Sequence, residues 1–324
     1  FFFGRELDVE SLMRKLRPPR LLGVIGPSGA GKSSFLRAGL LANLPAGWSA
    51  VLATPGNRPF VALARALAEV LPKEAEVVDS LLRFEEPAAA MALISAWRAR
   101  HEQCLIVLDQ FEELFTQSPR DVQTSFAELL GRIPVEADVH VLLSMRDDFL
   151  SHCQSQEPLA PLFSELTPIG PPTGAALRKA IVEPARKCGY RFEDEGLVEE
   201  MLAEVEGERG SLPMVAFASA QLWELRDTQE GTLTREAYER IGGVAGALAQ
   251  HAERTLAEIG HDRAPIVHEL FRNLVTAQGT RAARTRHELL SVFESGGAGS
   301  EPEEEERPSR EDAARVLDAL VDAR

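Results

Sequence analysis

Over the first half of the chain, short unbroken apolar runs alternate with helix-length amphipathic stretches. The runs are LLGVI (21–25), WSAVLA (48–53), CLIVLD (104–109), DVHVLLSM (138–145) and the weaker LTPI (166–169). Helical periodicity fills the gaps, in the residues after Lys32, in PFVALARALAEVL, over 86–100, and from Ser118-Pro119-Arg120-Asp121 to Leu130. Ser118 there has the look of an N-cap with proline at the first helical position. Strands apolar along their whole length, separated by helices, predict a parallel sheet covered on both faces. The expected fold is α/β, with ligand chemistry at the carboxyl ends of the strands.

The pattern changes at Pro168-Ile169-Gly170-Pro171-Pro172. From 173 to 260 it predicts helices only, with Gly242-Gly243 as a helix junction. From His261 onward two further helices and the segment REDAARVLDALVDA are separated by the glycine- and glutamate-rich SGGAGSEPEEEERPS, whose Glu303–Glu306 run reads as a solvated loop. Three helices so connected resemble the start of a winged helix whose hairpin would follow Arg324. The expected organisation is an N-terminal segment (1–20), a P-loop NTPase domain (21–170), a helical domain (171–260) and a partial winged-helix domain (261–324).

The turn after the first run carries the chemistry. Gly26-Pro27-Ser28-Gly29-Ala30-Gly31-Lys32-Ser33 fits G-x-x-x-x-G-K-[ST], followed by Ser34 at the start of a helix. A strand feeding a helix through glycines directs backbone N–H groups and the positive helix end into one hollow, an anion cradle. Lys32 would reach the β- and γ-phosphates, and the Ser33 hydroxyl would hold Mg²⁺. Asp109, at the end of CLIVLD, has the position of a Walker B carboxylate and is the second expected Mg²⁺ residue. The next residue is Gln110, which cannot accept a proton. Glu112 and Glu113 follow, and either could polarise an attacking water, with Glu112 preferred. Arg146, in SMRDDF, sits where a strand tip could aim a guanidinium at a γ-phosphate. The alternative for it is an ion pair with Asp147 or Asp148. Arg58, after the second strand, is a weaker candidate of the same kind.

Composition narrows the classes. Of the 324 residues 44% are hydrophobic, enough for a sizeable core, and no apolar run approaches a membrane span. A net charge of −15 opposes general attraction to nucleic acid or anionic membrane. Three cysteines, Cys104, Cys153 and Cys188, lack metal spacing and read as reduced thiols. The chain opens on Phe1 and an apolar FFF, the reverse of a secretory signal, so a cytoplasmic protein with a processed or excised start is expected.

Together FFFGRE, GPSGAGKSS, LIVLDQFEELF, MRDDF, GSLPM (210–214), LWEL, Tyr238 with GGVAGAL, and TRAARTR run through nearly the whole chain. In these motifs the chain resembles the STAND class of signal-transduction ATPases, relatives of NACHT and NOD-like receptor ATPases, and most of all the bacterial novel STAND group. The resemblance implies domains that close over ATP or ADP. It puts Gly4, Arg5 and Glu6 near the adenine and Pro213 against the base, and it supports Glu112 and Glu113 as the acidic pair. It favours ATP over GTP. It also implies a slow conformational switch in bacterial signalling or defence, homo-oligomeric with ATP, with sensor and effector domains elsewhere in the protein. Two other readings stay open: an origin-recognition-like DNA-binding ATPase, for which Arg272, Arg281, Arg284 and Arg286 would serve, and a nucleotide-binding scaffold that does not hydrolyse.

Overall fold

The computed structural model describes residues 2–16, 18, 20–71, 77, 84–206, 211–275, 284–293 and 309–322. The chain forms two compact units, Phe1–Arg240 and Ile241–Arg324. This single boundary falls inside the expected helical domain. The finer divisions at 170/171 and 260/261 stand as a proposal about subdomains.

The first unit is built on a five-stranded parallel sheet: β1 (Leu21–Ile25), β2 (Trp48–Ala53), β3 (Gln103–Leu108), β4 (His140–Met145) and β5 (Leu166–Pro168). The spatial order is β2-β3-β4-β1-β5, so β4 lies between β1 and β3. In register, Ile25 pairs with Met145 and Leu108 with Leu143. The tips of β1, β3 and β4 therefore end side by side.

Alternation along the strands divides the core into two layers. Leu21, Val51, Ile106, Leu108, Val141, Leu143 and Met145 pack one face against α3 (Pro59–Val70), α4 (Pro87–Arg98) and α6 (Arg120–Glu136), after α5 (Glu112–Gln117). Leu22, Val24, Leu105, Val107 and Leu142 pack the other face against α1 (Glu6–Lys15) and the helix that follows the P-loop. The sheet is thus covered on both faces, as the unbroken apolar strands predict. The helix after the P-loop is irregular. It begins as α2 (Lys32–Ser34), continues as π-helix over Phe35–Leu40 and closes as 3₁₀-helix over Leu41–Asn43.

Three local expectations are corrected. Ser118 does not cap α6, whose N-cap is Pro119; its hydroxyl donates instead to the Gly56 carbonyl at 3.1 Å, pinning the turn after β2. The helix also runs past Leu130 to Glu136 with Pro134 inside it, held by burial of Phe126, Leu129, Leu130 and Ile133. Beyond α7 (Leu150–Gln154) and β5 come α8 (Gly174–Lys187), α9 (Glu195–Ala203), α10 (Ser211–Glu224) and α11 (Arg235–Ile241). The region is not purely helical: β6 (Arg191–Phe192) pairs with β7 (Thr232–Leu233). Two residues per strand are too few to leave a periodic signature.

In the second unit, Gly242 and Gly243 adopt φ of 79° and 72°. They form the expected junction before α12 (Gly243–Ile259), because L side chains rarely adopt that conformation. Ile259, Ile266, Leu270, Leu289, Leu290, Ala313 and Val316 form its core. They tie α13 (Ala264–Asn273), α14 (Arg286–Ser291) and α15 (Arg310–Asp322) into one cluster. The Thr285 side chain and Glu288 close a reciprocal capping box at the start of α14. Gly210, Arg281 and the Glu303–Glu306 run lie outside the described residues.

Candidate functional site

The loop after β1 is shaped by two close approaches. A Cβ on Gly26 would strike the Ile169 carbonyl oxygen, since the Ile169 N–H donates to Ile25 O at 2.7 Å and draws the two segments together. Gly29 and Gly31 have φ of 78° and 84°, the left-handed turn that opens α2. Pro27 O accepts from Ala30 N–H at 3.3 Å, while Ser28 and Ser34 are exposed and Ser33 is half-buried in the first turn of α2. The Lys32 ammonium folds back over the loop and donates to Gly26 O at 2.8 Å and Pro27 O at 2.9 Å. Burial lowers its pKa, the negative charges of Glu112, Asp147 and Asp109 oppose that shift, and the positive Arg146 adds to it. Lys32 therefore stands among Asp109, Glu112, Arg146 and Asp147.

Arg5 is 8% exposed. Its guanidinium donates to Ala30 O at 2.9 Å, to Gly170 O and to Asp8 Oδ2 at 3.4 Å. It clamps the P-loop to the segment after β5. A peptide's C=O and N–H point opposite ways, so fixing the Ala30 carbonyl toward Arg5 turns the Gly31 N–H away from it. Gly4 donates its N–H to Glu6 Oε1 at 3.1 Å, and its Cα packs so close to the Ala176 carbonyl that no Cβ would fit. The segment Gly4-Arg5-Glu6 thus joins the P-loop to the start of α8. At the start of α10, Leu212 Cδ2 lies 3.0 Å from where a Gly31 Cβ would sit, and the exposed Pro213 is the next residue. The first turn of α10 accordingly borders the P-loop.

Asp109 is 1% exposed and continues β3 by donating its N–H to Ala53 O at 2.9 Å. Gln110 then takes φ of 53°, a strained value for a side chain of its type, and its N–H donates to Asp109 Oδ1 at 3.0 Å. The other carboxylate oxygen, Oδ2, is buried without a hydrogen-bond partner, with the Arg37 guanidinium at 4.0 Å and the Lys32 charge also within electrostatic reach of the carboxylate. A buried, unsatisfied carboxylate oxygen facing a P-loop suits a cation or its hydration water. Ser33 and Asp109 offer oxygen only, which fits Mg²⁺ sharing its shell with phosphates and water. Among the described residues no group of three or more His, Cys, Asp or Glu forms a metal cluster, so such an ion would depend on the nucleotide for the rest of its ligands.

Glu112 and Glu113 diverge. Glu112 Oε2 accepts the Arg146 backbone N–H at 3.4 Å, which turns it toward the β4 tip and Lys32. A Cβ on Gly56 would lie 4.0 Å from Glu113 Oε2, so that carboxylate faces the turn after β2. Arg146 is paired with Asp148, through Nε at 3.0 Å and Nη2 at 2.5 Å, and lies 5.4 Å from the Phe149 ring centroid. The ion-pair alternative is thus realised here, beside Lys32. Arg58, at the N-cap of α3, lines a separate cavity of ≈ 390 Å³ with Phe60, Glu85 and Asp121, and no described contact joins it to the P-loop.

The cysteines play no part in this site. Cys104 and Cys153 are buried with thiol pKa values raised to about 12, and Cys188 is exposed. No described helix is long and apolar enough to cross a membrane.

One residue missing from the expected site is Ser144. It is fully buried on β4, and its hydroxyl has no hydrogen-bond partner. Its only signal in the sequence is a polar side chain near the end of the apolar run VLLSM.

A five-stranded parallel sheet with this loop, this lysine and this strand-end aspartate defines a P-loop NTPase. The chain belongs to the family Novel STAND NTPase 1, whose model matches residues 1–324. No curated protein matches significantly. Among solved structures it is similar to the Walker-type ATPase PABY2304 of Pyrococcus abyssi, at 14% identity over 90% of this chain and 88% of that one (TM-score 0.57). It is likewise similar to the Aeropyrum pernix ORC1 protein in complex with DNA, at 16% identity over 100% and 84% (TM-score 0.52). At these identities the likeness is one of fold.

Proposed function

We propose that this chain is a slowly hydrolysing ATPase that works as an ADP/ATP-dependent conformational and oligomerisation switch, the central module of a larger bacterial signalling or defence protein. The observation that carries this reading is the Arg146–Asp148 pair beside Lys32. ATP and ADP differ by one phosphoryl group. A ligand shifts a conformational equilibrium only through its different affinity for the two states. Arg146 can exchange the Asp148 carboxylate for a γ-phosphate, so it has two alternative anionic partners and only ATP supplies the second.

In this reading the loop N–H groups and Lys32 bind the phosphates, Ser33 and Asp109 hold Mg²⁺, and Glu112 accepts the proton of the attacking water. Bound Mg²⁺ would neutralise charge on the phosphates. Gln110, outside the proton path, fits slow turnover. Pro213 and the Gly4–Glu6 segment flank the base side of the P-loop. The DNA-binding alternative is weakened because Arg286 is held by Asp318 at 2.9 Å and Arg272 by Glu269 at 3.5 Å, leaving less free positive charge.

Light scattering of the chain with Mg²⁺-ADP and with a non-hydrolysable Mg²⁺-ATP analogue tests the proposal. A larger assembly with the analogue is expected, and Arg146→Ala should give the same mass in both. A parent chain that binds both nucleotides but keeps one mass contradicts the switch.

A further inference from the structure

We propose that Ser144 is a positioning residue for the metal–nucleotide site, acting with Asp109 from inside the sheet; the proposal rests on the nucleotide reading above. In register, Val24 pairs with Ser144, and the Phe111 N–H donates to Ser144 O at 2.8 Å, continuing the β3–β4 contact past Leu108–Leu143. Asp109 is therefore level with Ser144. Leu105, Val107, Leu142 and Val24 all face the P-loop helix. By the period-two alternation of strands, Asp109 and Ser144 continue that same face, one on β3 and one on β4. The site thus holds two neighbouring buried oxygens, Asp109 Oδ2 and Ser144 Oγ, and neither has a hydrogen-bond partner.

Buried polar atoms are rarely left unsatisfied, and two together at a functional cleft point to a shared partner. Since neither bonds the other, a water held between them satisfies both: the hydroxyl can donate or accept, the carboxylate accepts. That water belongs to the hydration shell of an ion on Asp109, because small divalent cations keep several waters. Ser144 then fixes the orientation of Asp109 toward the cation without ligating it. Outer partners of this kind change metal affinity while the direct ligands stay in place.

The idle alternative, a hydroxyl buried without purpose, predicts something different. Ser144→Ala removes an unsatisfied group, so in both cases the nucleotide-free chain should melt no lower than the parent. The distinguishing readout is the ratio of ADP affinities with Mg²⁺ and with EDTA, measured by calorimetry. If Ser144 positions the ion, Ser144→Ala shrinks that ratio about tenfold while affinity in EDTA stays unchanged, and Ser144→Thr restores most of it. An unchanged ratio in Ser144→Ala overturns the proposal, whatever the melting temperature does. Should the alanine variant fail to fold, Ser144→Cys, similar in volume but a weak hydrogen-bonding group, gives the same reading. A parent chain that binds no nucleotide in either condition overturns the nucleotide reading itself, and this inference with it.

Discussion

Glu112→Gln is expected to slow ATP hydrolysis by about 10²–10⁴-fold while leaving ATP binding within a few-fold of the parent. That range is what a positioned general base contributes. The expectation rests on where the two adjacent carboxylates point. Glu112 is turned to the β4 tip by the Arg146 N–H, and its charge is the strongest of the acidic influences on Lys32. Glu113 is directed to Gly56 and the turn after β2. Glutamine keeps the shape and the acceptor oxygen of glutamate but cannot take a proton, so folding and binding should survive. Glu113→Gln should change the rate by less than tenfold. Single-turnover measurements with Mg²⁺-ATP check both variants, and the reverse ranking would assign the base to Glu113. A parent chain that never exceeds the protein-free rate would favour the non-hydrolysing scaffold.

Lys32→Ala is expected to remove tight nucleotide binding. The ammonium now bonds two loop carbonyls, Gly26 O and Pro27 O, and would exchange them for phosphate oxygens. Hydrogen bonds involving a charged group contribute about 1.5–3 kcal/mol each. Losing two amounts to about 3 kcal/mol or more, on the order of a 100-fold weaker affinity. The variant also leaves the negative cluster of Asp109, Glu112 and Asp147 without its central cation, which opposes any incoming phosphate. Titration calorimetry with ADP measures the loss. Affinity within a few-fold of the parent would mean that the phosphates lie elsewhere.

The candidate site was legible in the sequence where its geometry depends on residues close along the chain. The glycine spacing, Lys32 and Ser33 follow from one turn, and Asp109 from the polar end of an apolar strand. What escaped depends on strand order. Nothing in the local pattern says that β4 inserts between β1 and β3, yet that placement makes Ser144 a neighbour of Asp109, and it sets Arg146, already read as a strand-tip candidate, beside Lys32. Arg5 shows the same limit: its hydrogen bonds reach Ala30 and Gly170, 25 and 165 residues away. The choice between Glu112 and Glu113 needed the direction of two side chains at the start of α5. Ser118 reads as a cap because its immediate neighbours suit one, but a distant carbonyl at Gly56 claims its hydroxyl.

The most direct test of the switch is the nucleotide that leaves the purified chain on denaturation, separated by ion exchange. Retained ADP, close to one per chain, is expected, and none with Lys32→Ala. An empty site that turns over added ATP freely would contradict the switch and describe a fast-exchanging enzyme instead.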